Sequence, residues 1–182
     1  MDWMLWVDIE TTGLNVHNDQ ILQIACVLTN FEDDNPVYTV EYTIKHDQHI
    51  LDNMDEWCTK QHKKSGLYDR VLRSTFLLQD VERQIVLGLN HHLKVMDNVY
   101  FAGNSVHFDK KFIDYHMPLL SSRASYRIID VSTIAILCRN LAVDVYKNRP
   151  VKTYNHTAMQ DILESIKEYK YYTSTFKFKK IE

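Results

Sequence analysis

The sequence predicts an α/β domain, a central mixed five-stranded sheet flanked by helices, and three observations carry that expectation. Three β-rich runs open the chain, between residues 3 and 44. Amphipathic helical segments then alternate with short apolar runs, giving the order βββ-α-β-α-β-α. The 182 residues are 45% hydrophobic and 25% charged, enough to bury the core of one domain and too apolar for a disordered chain. A single domain over 1–182 is expected, with its core at about 3–176 and a short basic tail.

Each element has a local reason. Trp3 to Ile9 is an aromatic and aliphatic run, hence a strand, and Thr11-Thr12-Gly13 ends it. Ile21 to Thr29 is a second strand. Residues 31–36 form a turn by composition, and Val37 to Ile44 alternates as a third strand paired through it. Residues 55–64 and 67–73 form two short helices split near Gly66. Leu77 to Val95 is a long amphipathic helix with Leu78, Val81, Ile85 and Leu89 on one stripe. Val99 to Ala102 is a fourth strand. Asn104 to His116 is helical until Pro118 bars its continuation. Arg127 to Ile129 is a brief fifth strand, followed by a helix from Val131 to Leu141. Asp144 to Tyr154 is expected to be a polar loop, and His156 to Tyr172 the last helix.

Composition excludes several classes. The four glycines, Gly13, Gly66, Gly88 and Gly103, are far apart, so neither a GxGxxG nor a GxxxxGK phosphate loop is present. No apolar run approaches the roughly 18 residues of a membrane span, so no membrane partner is expected. Cys26, Cys58 and Cys138 are widely spaced and odd in number, which argues against a disulfide framework and for a reducing compartment. No secretory or Arg-rich leader is legible at residues 1–10, so an intracellular, cytoplasmic setting is expected. A net charge of -3 is poorly suited to gripping a long polyanion, but is compatible with a small, metal-neutralised site.

Four acids stand out. Asp8 and Glu10 lie two apart on a strand, so alternation puts both on one face, with Val7 and Ile9 on the other. Such neighbours repel and resist burial, a cost that a divalent cation resolves. The alternative is an edge strand with solvated acids. Asp161 falls on the helical stripe of Ala158, Ile162, Ser165, Ile166 and Tyr169, where a carboxylate needs a cation or a basic partner. Asp109 is either a fourth ligand or an exposed helix acid beside Lys110 and Lys111. His156 sits at a helix entrance, as a capping residue or facing the same space.

WVDIETTGL at 6–14, GNSVHFDKKF at 103–112 and HTAMQDILESI at 156–166 resemble the three motifs of the DEDDh exonucleases, in order. LDNMDEWCTKQHKKSGL at 51–67 and YRIIDVST at 126–133 are similar to segments typical of the oligoribonuclease family, nearer its eukaryotic branch. The resemblance covers about 3–176 and implies a ribonuclease H-like exonuclease fold. It implies Asp8, Glu10, Asp109 and Asp161 as ligands of two Mg²⁺ or Mn²⁺ ions, His156 as general base, and a homodimer in which Tyr126 reaches the partner's active site. It implies Arg127, Ser132 and Thr133 at the substrate's 5′ phosphate, Leu14 and Trp57 against the bases, and His62, Asn104 and Ser105 as further substrate contacts. The implied activity is 3′-to-5′ degradation of short RNAs, down to dinucleotides, to nucleoside 5′-monophosphates. Relatives of this kind occur in cytosol and in mitochondria.

Three departures touch the rim of this pattern. Phe108 precedes the second-motif acid where a polar residue is expected. SSRASY at 121–126 lacks a His before the tyrosine. The 142–154 loop lacks the usual Trp and acidic residues. Two other readings stay open on sequence: a DEDDh exonuclease trimming DNA or longer RNA ends, and a non-catalytic nucleotide-binding module on the same fold.

Overall fold

The computed structural model describes residues 1–32, 35–152 and 157–176. Its strands are β1 (Asp2–Thr11), β2 (Ile21–Asn30), β3 (Tyr38–Thr43), β4 (Asn98–Gly103) and β5 (Ile128–Asp130). Its helices are α1 (Gln48–Asp52), α2 (Glu56–Lys64), α3 (Leu67–Arg73), α4 (Leu78–His92), α5 (His107–His116), α6 (Pro118–Ser121), α7 (Val131–Leu141), α8 (Val143–Lys147) and α9 (Ala158–Thr175). The strands form one mixed sheet of order β3-β2-β1-β4-β5, antiparallel across β1–β2 and β2–β3, parallel across β1–β4 and β4–β5.

Period-two alternation on β1 divides the core. Trp3, Leu5, Val7 and Ile9 pack on one face with Val81, Ile85 and Leu89 of α4 and Phe112 and Ile113 of α5. Met4 and Trp6 pack on the other with Val131 and Cys138 of α7 and Ala158, Ile162 and Ile166 of α9. Burying a large apolar side chain contributes about 1.5–3 kcal/mol, so Trp6 is a principal anchor of α9. Its indole N–H donates to Thr29 Oγ1 at 2.9 Å, and its ring meets Tyr169 of α9 edge-on at 5.4 Å. A smaller cluster of Leu51, Met54, Cys58, Leu67 and Val71 closes α1, α2 and α3 over Leu22 of β2.

Four boundaries differ from expectation. Residues 143–147 of the expected polar loop are helical, as α8. The helix expected from Asn104 starts at His107, because Ser105 adopts a left-handed φ of 54°. Pro118 stops α5 but also starts α6 as its first helical residue, where a missing N–H costs nothing. The next two N–H groups, of Leu119 and Leu120, donate to the buried carboxylate of Glu82 at 2.7 and 3.1 Å. The short helix α1 had no expected counterpart.

Candidate active site

The face of β1 that carries Met4 and Trp6 carries Asp8 and Glu10 next, so the α9 side of the sheet changes from apolar to acidic within one strand. α9 lies across this face and places Asp161 there. Carboxylate oxygens of Asp8, Glu10 and Asp161 all lie within 4.8 Å of one another, and all three side chains are half-buried. Among the described residues this is a ready ligand set for a hard cation: all oxygen, without thiolate or imidazole.

Asp109 is not part of that close group. It is buried on α5, and its Oδ1 accepts from the backbone N–H of Ile9 at 2.9 Å. The reason lies in the sheet. Pairing of β1 with β4 ends at Trp6–Ala102, so β1 runs on past its neighbour and its next N–H groups on that side need other partners. Gly103 ends β4 here, where an added Cβ would meet the Val7 carbonyl oxygen at 3.1 Å. Asp109 thereby lines the residue between the two β1 acids, close enough to act on both electrostatically.

The charges strain one another. Burial first, and then Asp109, Asp161 and Glu10, push the Asp8 carboxyl well above its usual range; Lys152 pulls the other way. Burial, with Asp161 and Asp109, raises Glu10 to about 8, against Arg70. Burial raises Asp109 to about 7, against its bond from Ile9. Three carboxyls pushed upward together in one cleft mark a place where a divalent cation belongs.

The β1 end is fixed from both sides. The β1–β2 register slips just after Glu10, an irregularity typical of site margins. His62 of α2 is 2% exposed, and its Nε2 donates to the Thr11 carbonyl at 2.9 Å. Its ring thus holds the strand end, and burial lowers its pKa.

The other residues singled out from sequence fall in three places. Leu14, after β1, and Trp57, at the start of α2, are 79% and 66% exposed. Ser105 and Ser132 meet at Asp130, whose Oδ1 accepts from the Ser105 N–H at 2.9 Å and from the Ser132 N–H at 3.0 Å, capping α7. Thr133 is exposed beside them. Tyr126 is exposed, with the Arg127 guanidinium 4.7 Å from its ring centroid. Asn104 turns away from this cap: its Nδ2 donates to Ser165 Oγ at 2.8 Å and to Glu168 Oε2 at 3.3 Å. His156 lies outside the described residues.

Sequence reasoning missed two polar residues of the site face. Gln23 pairs with Glu10 across β1–β2 and so shares its face; it is buried, and its Oε1 has no hydrogen-bond partner among the described residues. Asp130 was legible only as an Asp-x-Ser capping pattern before α7.

A mixed sheet with a carboxylate cluster where β1 outruns β4 is the arrangement of a hydrolase of the ribonuclease H-like exonuclease class. The exonuclease family model matches residues 5–169. The chain is 42% identical over 177 residues to the mitochondrial oligoribonuclease of Mus musculus, covering 97% of this chain and 74% of that protein. It is 38% identical to the oligoribonucleases of Arabidopsis thaliana, over 94% of this chain and 77% of the relative, and of Rhodococcus jostii (strain RHA1), over 96% and 87%. The chain belongs to the oligoribonuclease family of exonucleases. Among solved structures, an E. coli exonuclease I complex with single-stranded DNA and zinc superposes with a TM-score of 0.72 at 17% identity. That likeness covers 96% of this chain but 41% of exonuclease I, and shows the fold.

Proposed function

We propose that this chain degrades short oligoribonucleotides from the 3′ end, down to dinucleotides, and releases nucleoside 5′-monophosphates, using two Mg²⁺ or Mn²⁺ ions. The observation that carries the reading is the convergence of Asp8, Glu10 and Asp161 within 4.8 Å, with Asp109 bonded between the first two at Ile9. Family membership supplies the substrate class.

Asp8, Glu10 and Asp161 would hold the ions, with Asp109 the fourth carboxylate. Divalent cations held there would supply a lowered pKa for the attacking water and charge stabilisation for the leaving 3′ oxygen. His156, in the motif position of the base, would accept the proton of the attacking water as a neutral imidazole. The water oxygen bonds phosphorus, the bond from phosphorus to the 3′ oxygen breaks, and the 3′ oxygen ends protonated. Leu14 and Trp57 offer exposed apolar surface on which bases can stack. Ser105, Ser132, Thr133 and Arg127 offer donors to a terminal phosphate, while His62 and Asn104 serve from behind by fixing Thr11 and α9.

The same reading includes a homodimer. Tyr126 is 77% exposed, with Arg127 over its ring, and lines a groove with His107, Lys110, Lys111 and Asp114. Leu137 and Leu141 of α7 are exposed beside Phe176, an apolar face of the kind that marks association. No helix among the described residues is long and apolar enough to cross a membrane. A cytoplasmic or mitochondrial setting belongs to this proposal as well.

The test uses 5′-labelled RNA of two, five and twenty-four nucleotides, and matching DNA, with Mn²⁺ and then with EDTA. Metal-dependent mononucleotide release, fastest on the shortest RNA, is expected. Preference for long strands or for DNA would move the protein to the trimming class. No release at any length, with Asp161→Ala equally blank, would overturn the enzymatic reading.

A further inference from the structure

β2 is apolar from Ile21 to Leu28 except at Gln23, and all of these residues are buried. Gln23 is 2% exposed, and its Oε1 has no hydrogen-bond partner among the described residues. A buried amide oxygen left unpaired bears the cost of its lost hydration with nothing in return. A hydrophobic residue would pack in this strand without that cost, so the fold alone does not account for an amide here.

Strand register gives its neighbours. Gln23 stands directly opposite Glu10 on β1 and Thr43 on β3. Directly opposed residues of an antiparallel pair share a face, with Cβ atoms roughly 4.5–5.5 Å apart, so the amide adjoins the Glu10 carboxyl. The next row on this face is Asp8, Ala25 and Glu41. Ala25 ends at its Cβ and has no donor to offer. Glu41 is engaged elsewhere: its Oε1 accepts from the Met159 N–H at the start of α9, at 3.2 Å. A hard cation on the cluster would supply the donor that these neighbours lack. Asp8, Glu10 and Asp161 offer it three carboxylates whose oxygens lie within 4.8 Å. An ion such as Mg²⁺ takes about six oxygens and keeps several of them as water, whose protons need acceptors. An amide oxygen can accept one without adding another negative charge to the cluster.

We propose that Gln23 is a positioning residue whose Oε1 accepts a hydrogen bond from a water on the cation held by Glu10, and so orients the water shell of that ion. The proposal rests on the reading of Asp8, Glu10 and Asp161 as a cation site. It carries a signature that a merely structural role lacks. An acceptor unpaired in the metal-free chain and paired in the metal-bound one opposes folding in the first state and favours binding in the second. Removing that oxygen therefore stabilises the metal-free protein and weakens its grip on the metal. A structural role would predict loss of stability with metal affinity unchanged.

The test pairs thermal melting in EDTA with calorimetric titration of the metal-stripped full chain with MnCl₂, on wild type, Gln23→Met and Gln23→Glu, with circular dichroism as the check on folding. Gln23→Met keeps the length of the side chain and removes the amide; Gln23→Glu keeps an acceptor oxygen and adds a charge. Gln23→Met should melt a few degrees higher in EDTA and bind Mn²⁺ about tenfold more weakly, the usual scale for a group that orients a metal's ligands. Gln23→Glu should melt lower in EDTA and bind Mn²⁺ at least as tightly as wild type. A Gln23→Met variant that melts lower in EDTA, or that binds Mn²⁺ as tightly as wild type, overturns the proposal. If Gln23→Met fails to fold, Gln23→Glu decides: weaker binding despite its added charge overturns the proposal, and equal or tighter binding upholds it. Wild type failing to bind Mn²⁺ at all would overturn the cation site itself, a different failure and readable as such.

Discussion

The acid cluster and the rim around it are built in opposite ways. Asp8 and Glu10 extend from a strand paired along β2 throughout and along β4 up to Trp6, and Asp161 from a helix pinned to that strand through Trp6 and Tyr169. Leu14, Trp57 and Tyr126 stand on a loop, a helix start and a strand entrance, all largely exposed. The cluster keeps its geometry against mutual repulsion because core packing imposes it. The rim can take its final geometry from what binds. Changes in the cluster should therefore act on the chemical step and on stability, and changes in the rim on binding.

The largest effect separates the two most sharply. Asp161→Ala should lower kcat by at least about a thousandfold, since a hard-cation site loses a ligand, while circular dichroism stays native. In EDTA the same variant should melt above wild type, because one of three crowded carboxylates is gone. A variant that is inactive and melts lower would mean that Asp161 is part of the scaffold instead.

The next effect is on pH. Asp8, Glu10 and Asp109 keep protons in the fold to pH values well above the roughly 4 at which an unfolded carboxyl loses them. Between those values the unfolded chain binds fewer protons than the folded one, so stability falls as pH rises. The contribution is complete below about pH 4 and, for Glu10, is lost as pH rises through its value of about 8. Melting in EDTA should thus shift downward by several degrees from pH 5 to pH 8, and saturating Mn²⁺ should flatten that slope. A melting temperature that is constant or rises with pH in EDTA would contradict the electrostatic account of the cluster.

For the rim, Trp57→Ala should raise KM for a dinucleotide about tenfold, within the ~1–3 kcal/mol that stacking contributes per base, and leave kcat within about twofold. A loss confined to kcat would place Trp57 with the cluster.

What was legible in the sequence follows the same division. The β1 acids and Asp161 could be read because each breaks a local apolar period, of two on the strand and of three to four on the helix. The element order was implied by β-runs preceding alternation, and α7 runs over the expected Val131 to Leu141. What could not be read depends on where chains stop pairing or meet across long separations. Asp109 finds the Ile9 N–H only because β4 ends at Gly103, and their separation is 100 residues. Gln23 joins the site through strand register, and the buried Glu168 meets Lys152 through a loop whose composition suggested only polarity. Pro118 was read as a stop because its role as a start depends on Glu82, 36 residues earlier, with its carboxylate in reach of the next turn.

The smallest expected effect lies on the seam between the two regions, at Ser105. Its φ of 54° strains a residue with a Cβ, by an amount on the order of 1 kcal/mol that glycine would not bear. Its N–H holds Asp130, which caps α7, and a glycine keeps that N–H. Only the hydroxyl, 3.5 Å from Ser132 Oγ and facing solvent, is lost. Ser105→Gly should therefore leave the melting temperature unchanged or raise it by a few degrees, while KM for a 5′-phosphorylated dinucleotide rises more than KM for the unphosphorylated one. If both KM values rise equally, Ser105 serves the α7 cap and not the phosphate. If the melting temperature falls instead, the bond between Ser105 and Ser132 outweighs the strain, and the seam belongs to the scaffold side of the comparison.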